Sequence, residues 1–253
     1  MTDRLPPLEL LGIAKDPFTD VSDAFFPGAD RGRQLEELRH LTRWPRRVLA
    51  VTGDRGVGKT TLYRALSNGL DPGVKAARIN ANLTSDTRSV LSAVIQGFGI
   101  AAPANSQPQL LAELIRLHVQ EQVDAKRQCV VLVDDAHLLE LRALEHLLQL
   151  SDAGADEGLW IVFFAEAHFV PSLDKASRRS SHVQSWHEIR LTPFTEEDAR
   201  RYIAFRFGLV GVVANIPFTP TQMALIVGGA SGLPIELRNY FVRSFTSRFC
   251  YSK

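Results

Sequence analysis

The residues best suited to chemistry form one short run with the phosphate-binding spacing G-x-x-x-x-G-K-[ST]. The run reads Gly53-Asp54-Arg55-Gly56-Val57-Gly58-Lys59-Thr60. Triphosphate oxygens need several converging backbone N–H donors, and a helix N-terminus supplies them with a favourable dipole. Glycines let such a loop curl without Cβ clashes. Lys59 would reach the β- and γ-phosphates, the Thr60 hydroxyl would hold Mg²⁺, and Thr61 would contact the α-phosphate.

Two aspartates, Asp134 and Asp135, follow directly after the apolar residues 129–133. Such a run predicts a buried strand, and open α/β sheets bind ligands where strands end. The pattern therefore predicts that Asp134 binds Mg²⁺ through water and that Asp135 orients or deprotonates the attacking water. The alternative is an acidic turn that only terminates the strand, because Asp favours such places.

Short β-rich runs alternate with helical runs through the first three quarters of the chain, which predicts a parallel α/β sheet. The predicted strands span residues 47–51, 76–81, 129–133, 159–165 and 186–191. One helix is predicted before the first strand, at residues 33–43, and others between the strands at 59–70, 89–98, 110–122 and 138–150, with a loop at 102–109. The glycine loop therefore follows a strand and opens a helix, as phosphate binding requires.

The character of the sequence changes after Leu191, beyond which only helices are predicted. They span residues 196–207, 220–227 and 234–249, and Thr195 with Asp198 resembles a capping box at the first of them. Gly228, Gly229 and Gly232 are predicted to stop the second helix before the third begins. We expect a P-loop α/β domain at residues 1–191 and a small all-helical domain, the lid, at 192–253.

Composition excludes several classes of protein. Lys and Arg number 29 against 28 Asp and Glu, a formal net charge of +1, which argues against a broadly basic nucleic-acid surface. The two cysteines, Cys129 and Cys250, lack the spacing of a zinc or redox site. We find no secretory signal and no apolar run near the ~20 residues that span a bilayer. The expected location is the cytoplasm.

These motifs together resemble the AAA+ ATPases of the ExeA/GspA type, and more closely the ATPase part of DamX-like cell-division proteins. The resemblance also uses the opening Leu11-Gly12-Ile13 and Asp16-Pro17-Phe18, and Phe25-Phe26-Pro27 with the helix that follows. In the lid it uses residues 191–197 and 202–207, and Gly232-Leu233-Pro234 with Asn239.

The resemblance implies a P-loop NTPase of the AAA+ type, with a five-stranded parallel sheet in the order 5-1-4-3-2 and a helical lid. It implies ATP or ADP as ligand with Mg²⁺, and adenine near Pro17 and Phe18 beside the lid. Glu166, at the end of the fourth strand, would act on the γ-phosphate side through water or arginine. The alternative is an ordinary loop carboxylate.

Three departures from the family pattern predict slow hydrolysis. Asp135 stands where Glu is usual, and its side chain is shorter by roughly 1.5 Å. Ile235 replaces the lid arginine, leaving Arg238 one turn later as a substitute. Val183-Gln184-Ser185 replaces the arginine before the fifth strand. Arg178 and Arg179 remain as candidates for a finger acting on a neighbouring subunit.

Three functions stay open on this basis. The first is an ATPase of slow turnover that assembles a bacterial cell-envelope or cell-division complex with protein partners. The second is a nucleotide-gated binding module with little turnover. The third is a DNA-associated regulator, for which Arg43, Arg46, Arg47, Arg200 and Arg201 could supply a basic surface. Relatives commonly continue into a membrane span and a peptidoglycan-binding module, so the chain is either part of a longer protein at the inner membrane or a short relative.

Overall fold

The computed structural model describes residues 15–19, 24–40, 48–82, 85–151, 158–180, 186–212, 216 and 218–246. The opening Leu11-Gly12-Ile13, the arginines at 43, 46 and 47, residues 183–185 and Cys250 lie outside these ranges. Within them the strands are β1 (Val48–Gly53), β2 (Lys75–Asn80), β3 (Cys129–Asp134), β4 (Leu159–Ala165) and β5 (His187–Leu191). The helices are α1 (Arg31–Arg39), α2 (Lys59–Asn68), α3 (Thr87–Phe98), α4 (Pro108–Asp124), α5 (Leu141–Leu150), α6 (Val170–Arg179), α7 (Glu196–Gly208), α8 (Pro220–Gly229) and α9 (Pro234–Thr246).

The five strands form one parallel sheet in the order β2-β3-β4-β1-β5. This is the predicted order counted from the opposite edge, so the predicted fold is confirmed. β1, β3 and β4 are buried along their whole length, as expected for inner strands of a parallel sheet covered on both faces. The edge strands β2 and β5 instead alternate buried and accessible residues.

The residues cluster into two compact units. One unit comprises residues 35–54 and 62–191, and the other comprises residues 1–34, 55–61 and 192–253. The boundary predicted at Leu191 stays a prediction, since the second unit also includes the glycine loop and the N-terminal segment.

The first unit holds the sheet and its main apolar core. Side chains from one sheet face, such as Val131, Ile161 and Phe163, join buried residues of α3, α4, α5 and α6. Burial of one such apolar side chain contributes about 1.5–3 kcal/mol. Cys129 is one of these core residues, and burial raises the pKa of its thiol to about 11.

The second unit has a core rich in aromatic residues. Phe18 stacks on Phe241 with 4.4 Å between ring centroids, and Phe207 lies edge-on to both rings. Ile203, Ile226 and other aliphatic residues of α7, α8 and α9 complete the cluster. The helical character predicted for the C-terminal region is confirmed for its described residues.

Local capping fixes where several helices begin. The backbone N–H of Ser89 donates to the Asp86 side chain before α3, which lowers the pKa of that carboxyl. The backbone N–H of Asp198 donates to the Thr195 hydroxyl at α7, as the sequence predicts. At α8, Thr219 and Gln222 form a reciprocal capping box.

Two local predictions were wrong in detail, and one helix was missed. The loop predicted at 102–109 ends sooner, because Pro108 occupies the first turn of α4, where proline needs no N–H partner. α8 continues through Gly228 and Gly229 and does not stop before them. α6 was not predicted at all.

In the described residues, no helix is both long enough and apolar enough to cross a bilayer.

Candidate nucleotide-binding site

The glycine run forms a tight loop from the end of β1 to the start of α2. Gly56 and Gly58 have φ of 81° and 107°, values that L-residues rarely adopt. Lys59 and Thr60 form the first turn of α2, where backbone N–H groups have no partner within the helix and attract anions. Lys59 is only 7% exposed, while Asp54 and Arg55 are exposed. The loop has the backbone that phosphate binding needs.

The first turn of α9 packs on this loop. The backbone N–H of Ile235 donates to the Gly56 carbonyl at 3.3 Å. A Cβ on Gly56 would overlap Cγ2 of Ile235. Ile235 is the residue that stands where the family pattern has arginine, so an apolar contact occupies the place of a charged one.

Gly56→Ala is expected to destabilise the protein by about 3 kcal/mol. Left-handed backbone costs an alanine roughly 1–2 kcal/mol, and the overlap with Ile235 adds about 1–3 kcal/mol. The matched control is Gly58→Ala, because Gly58 also has positive φ but open space around its Cα. Chemical denaturation should show a smaller loss for the control, and Ile235→Ala should recover part of the loss in Gly56→Ala. Equal losses at the two glycines would contradict the packing described.

The predicted acidic pair lies at the carboxyl end of β3. Asp134 is 3% exposed, and the backbone N–H of Asp135 donates to its Oδ1 at 3.1 Å. Asp135 has a φ of 52°, in the left-handed region that Asp and Asn tolerate better than most residues. The backbone therefore turns sharply as soon as the buried strand ends.

The pKa of Tyr63 in α2 depends partly on the charge of Asp134. Burial raises the pKa of the Tyr63 phenol, and the Asp134 carboxylate raises it further. The Tyr63 ring also lies edge-on to Phe164 of β4, with 5.4 Å between centroids. Thr60 lies three residues before Tyr63, almost one helical turn. The Thr60 hydroxyl and the Asp134 carboxylate are oxygen donors, the type that Mg²⁺ prefers.

Glu166 lies between two histidines at the end of β4. Its Oε1 is 3.8 Å from Nε2 of His137 and its Oε2 is 3.6 Å from Nδ1 of His168. His137 follows β3, so the sheet brings this group to the edge that carries Asp134 and Asp135. Within the described ranges, no group of three or more His, Cys, Asp or Glu residues is arranged to hold a metal ion.

The three arginines predicted as catalytic are all exposed. Nη1 of Arg179 lies 2.7 Å from Oε1 of Glu145 on α5. Arg178 is its neighbour in the last turn of α6. Arg238 is on α9. Burial lowers the pKa of the Arg206 guanidinium, and the charge of Arg238 lowers it further.

A small open cavity of about 50 Å³ lies within the unit that contains the glycine loop. Its lining includes Val57 and Gly58 of the glycine loop and Thr61 of α2. The remaining lining residues are Ala24, Phe25, Phe26, Arg31, Phe194, Tyr202, Arg206 and Pro234. Pro17 and Phe18 are buried, and Phe18 belongs to the aromatic core. Their contact with adenine stays a prediction.

Sequence reasoning missed two arginines of this cavity. Arg31 donates to the Gln34 side chain at 3.2 Å and to the carbonyls of Thr192 at 2.6 Å and Val57 at 3.4 Å. Its guanidinium lies 5.6 Å from the Phe194 ring centroid. Arg206 was detectable, because it follows Ala199 and Ile203 at the helical spacing of buried residues.

Comparison with known proteins agrees with this architecture. Residues 33–173 match the family model of the AAA domain. General secretion pathway protein A of Aeromonas hydrophila is 27% identical over 231 residues, which cover 89% of this chain and 42% of that protein. The predicted resemblance to ExeA/GspA-type ATPases is confirmed, whereas the closer likeness to DamX-like proteins stays a prediction. The chain spans less than half the length of this relative.

Solved structures share the fold at low identity. Cdc6p of Pyrobaculum aerophilum superposes with a TM-score of 0.65 and 17% identity, covering 92% of this chain and 64% of that one. A Walker-type ATPase of Pyrococcus abyssi gives a TM-score of 0.62 and 18% identity, covering 87% of this chain and 67% of that one. At such identities the likeness establishes the fold alone.

Proposed function

Because the chain belongs to the AAA domain family, whose model matches residues 33–173, we propose that it binds ATP or ADP and hydrolyses ATP slowly. The observation that carries this proposal is the glycine loop, which turns through two positive-φ glycines into α2 and ends on the nearly buried Lys59. Backbone amides at such a helix N-terminus suit a polyphosphate.

The roles proposed for individual residues follow from their chemistry. Lys59 neutralises the β- and γ-phosphates, and Thr61 contacts the α-phosphate. Thr60 and Asp134 supply oxygen ligands for Mg²⁺, which would neutralise charge on the transferred phosphoryl group. Asp135 orients the attacking water and accepts its proton, and Glu166 acts beside it through water. Arg178, Arg179 and Arg238 are the candidates for stabilising charge that develops in the transition state.

We further propose that nucleotide turnover serves assembly of a cell-envelope or cell-division complex at the cytoplasmic face of the inner membrane. The 27% identity with general secretion pathway protein A supports this class of partner. Self-association is part of the proposal, since Arg178 and Arg179 are exposed and could reach the nucleotide of a second copy.

A second candidate function is a nucleotide-gated binding module with little turnover. The contact between Ile235 and Gly56 favours it, because an apolar side chain lies on the loop where the family pattern has a cation. The reduced reach of Asp135 favours it as well. In this case nucleotide would order the chain for partner binding and remain unhydrolysed.

Equilibrium binding and steady-state phosphate release by the purified chain test both candidates. Binding of MgATP with turnover that rises with protein concentration would support an ATPase completed by a neighbouring copy. Tight binding without turnover, even in concentrated protein, would support the binding module. Failure to bind any adenine nucleotide in the presence of Mg²⁺ would overturn both.

A further inference from the structure

Glu166 directly follows β4, the strand that lies between β1 and β3 in the sheet. The pairing of β4 with β1 runs up to Ala165 and Thr52, so Glu166 comes next to Gly53, the first residue of the glycine loop. On its other side β4 pairs with β3, the strand that ends in the acidic pair. The sheet itself therefore sets Glu166 between the start of the glycine loop and the acidic pair, at the edge where parallel sheets bind ligands.

Two imidazole rings flank the Glu166 carboxylate, one near each oxygen. Nε2 of His137 lies 3.8 Å from Oε1, and Nδ1 of His168 lies 3.6 Å from Oε2. The two rings meet edge to face, with 5.2 Å between their centroids. Both N···O distances are longer than a direct hydrogen bond. Polar contacts in catalytic sites without ligand are often long in this way and shorten when the ligand binds.

His137 is the better shielded of the two histidines. Its side chain is 12% exposed, compared with 65% for His168, and its Nδ1 is buried without a hydrogen-bond partner among the described residues. A proton on Nδ1 would be an unpaired buried donor and would turn the lone pair of Nε2 toward a carboxylate, which is unfavourable. The neutral ring is therefore expected to carry its proton on Nε2, facing Glu166.

The main chain joins His137 to Asp135. Asp135 precedes the short 3₁₀ turn Ala136–Leu138, and its carbonyl accepts from the backbone N–H of Leu138 at 2.9 Å. His137 is the middle residue of this turn. A ring that is fixed on the turn after Asp135 and faces Glu166 can hold the two carboxylates in one arrangement.

We propose that His137 is a positioning residue, whose Nε2–H donates to Oε1 of Glu166 and keeps this carboxylate beside Asp135, so that both accept hydrogen bonds from the water that attacks ATP. The inference rests on the proposed ATP hydrolysis and deepens it. His137 keeps its proton throughout, and the proton of the attacking water goes to Asp135.

Single-turnover hydrolysis of MgATP, with protein in excess, measures the chemical step even where turnover is slow. His137→Leu is expected to lower this rate about 10-fold or more, because a catalytic group that loses its orienting partner costs rate. Affinity for MgATP should stay within about 3-fold of the wild type, since the inference places His137 against Glu166 and not against nucleotide.

Two amide variants separate positioning from packing. His137→Gln is expected to recover most of the rate, because its side-chain NH₂ can take the place of the Nε2–H donor. His137→Asn has a shorter side chain, whose amide reaches only the place of Nδ1, and should remain slow. A residue that only fills space would instead tolerate Leu better than Gln.

The effect of His137 must also depend on Glu166. In the Glu166→Ala background, His137→Leu is expected to cause no further loss of rate, as a double-mutant cycle requires of a residue that acts through another. His146→Leu is the matched control, because His146 is a partly exposed histidine of α5 whose Nδ1 lies 2.8 Å from the Arg142 carbonyl oxygen. Its single-turnover rate should equal that of the wild type.

Equal rates for the wild type, His137→Leu and Glu166→Ala would overturn the inference and leave the proposed function intact. An undiminished effect of His137→Leu in Glu166→Ala protein would do the same. If the His137 variants do not fold, proton–nitrogen correlation spectra of the wild-type histidines decide. A His137 ring protonated on Nε2, with resonances that shift in Glu166→Ala, supports the inference, and one protonated on Nδ1 overturns it. Wild-type protein that binds MgATP but never hydrolyses it would overturn the proposed hydrolysis, and this inference with it.

Discussion

Lys59→Ala is expected to weaken MgATP binding by about 100-fold or more. Each hydrogen bond from a charged donor contributes about 1.5–3 kcal/mol, and the ammonium group is proposed to contact two phosphates. Burial strengthens the effect, because Lys59 is only 7% exposed and its charge is poorly screened by water. Titration of the purified variant with MgATP measures the loss directly.

Lys175→Ala is the control for this experiment. Lys175 is an exposed lysine on α6, so the variant removes the same charge away from the loop, and its affinity should stay within about 2-fold of the wild type. A thermal melt of Lys59→Ala shows whether the variant is folded. A folded Lys59→Ala that binds MgATP as the wild type does would exclude the loop as the phosphate site.

Asp135→Asn is expected to lower steady-state phosphate release by about 100-fold or more while leaving MgATP affinity within about 3-fold. A general base contributes roughly 10²–10⁴-fold to rate, and Asn cannot accept the proton. The substitution preserves size, and Asn tolerates the left-handed backbone that Asp135 adopts with a φ of 52°. The separation of rate from affinity distinguishes a proton acceptor from a residue that only shapes the turn.

Asp124→Asn serves as the comparison, since Asp124 is an exposed aspartate at the end of α4 that accepts from Gln120. It should change neither rate nor affinity. If Asp135→Asn instead lowers stability and leaves the rate per folded molecule unchanged, Asp135 is a turn residue and the water is held elsewhere.

The sequence predicts the sheet well because its inner strands can be recognised from their own residues alone. Residues 129–133 and Leu159–Ala165 are so apolar that only a strand covered on both faces accommodates them. α6 escapes prediction because it carries Pro171 and buries only Leu173, Ala176 and Ser177, a pattern too sparse to mark a helix. Tertiary contacts fix such an element.

The end of α8 was predicted too early for a different reason, which involves two glycines. Gly228 and Gly229 read as a helix stop, but the capping box at Thr219 and the buried Met223, Ile226 and Val227 determine the helix. Nothing lies within 4 Å of where a Cβ would stand on either glycine. A helix already anchored by its first turns and its buried face continues through residues of low propensity.

The phosphate loop and the acidic pair are local motifs, so their spacing alone predicts them. The cavity is different, because its walls come from residues 24–31, the glycine loop, and the segment from Phe194 to Pro234. Only the fold brings these segments together. The buried arginines could be suspected from their spacing on helices, but their roles depend on which acceptors the fold supplies.

The charged edges of the sheet have a consequence for how copies of the chain can associate. Lys75, Arg78 and Asn80 are exposed along β2, as are Glu188 and Arg190 along β5. Ionic side chains on an outer strand discourage the backbone-to-backbone pairing that turns folded domains into aggregates. The edge strands are thereby discouraged from pairing with the sheet of another copy. Oligomers of this protein would then form through helices and loops.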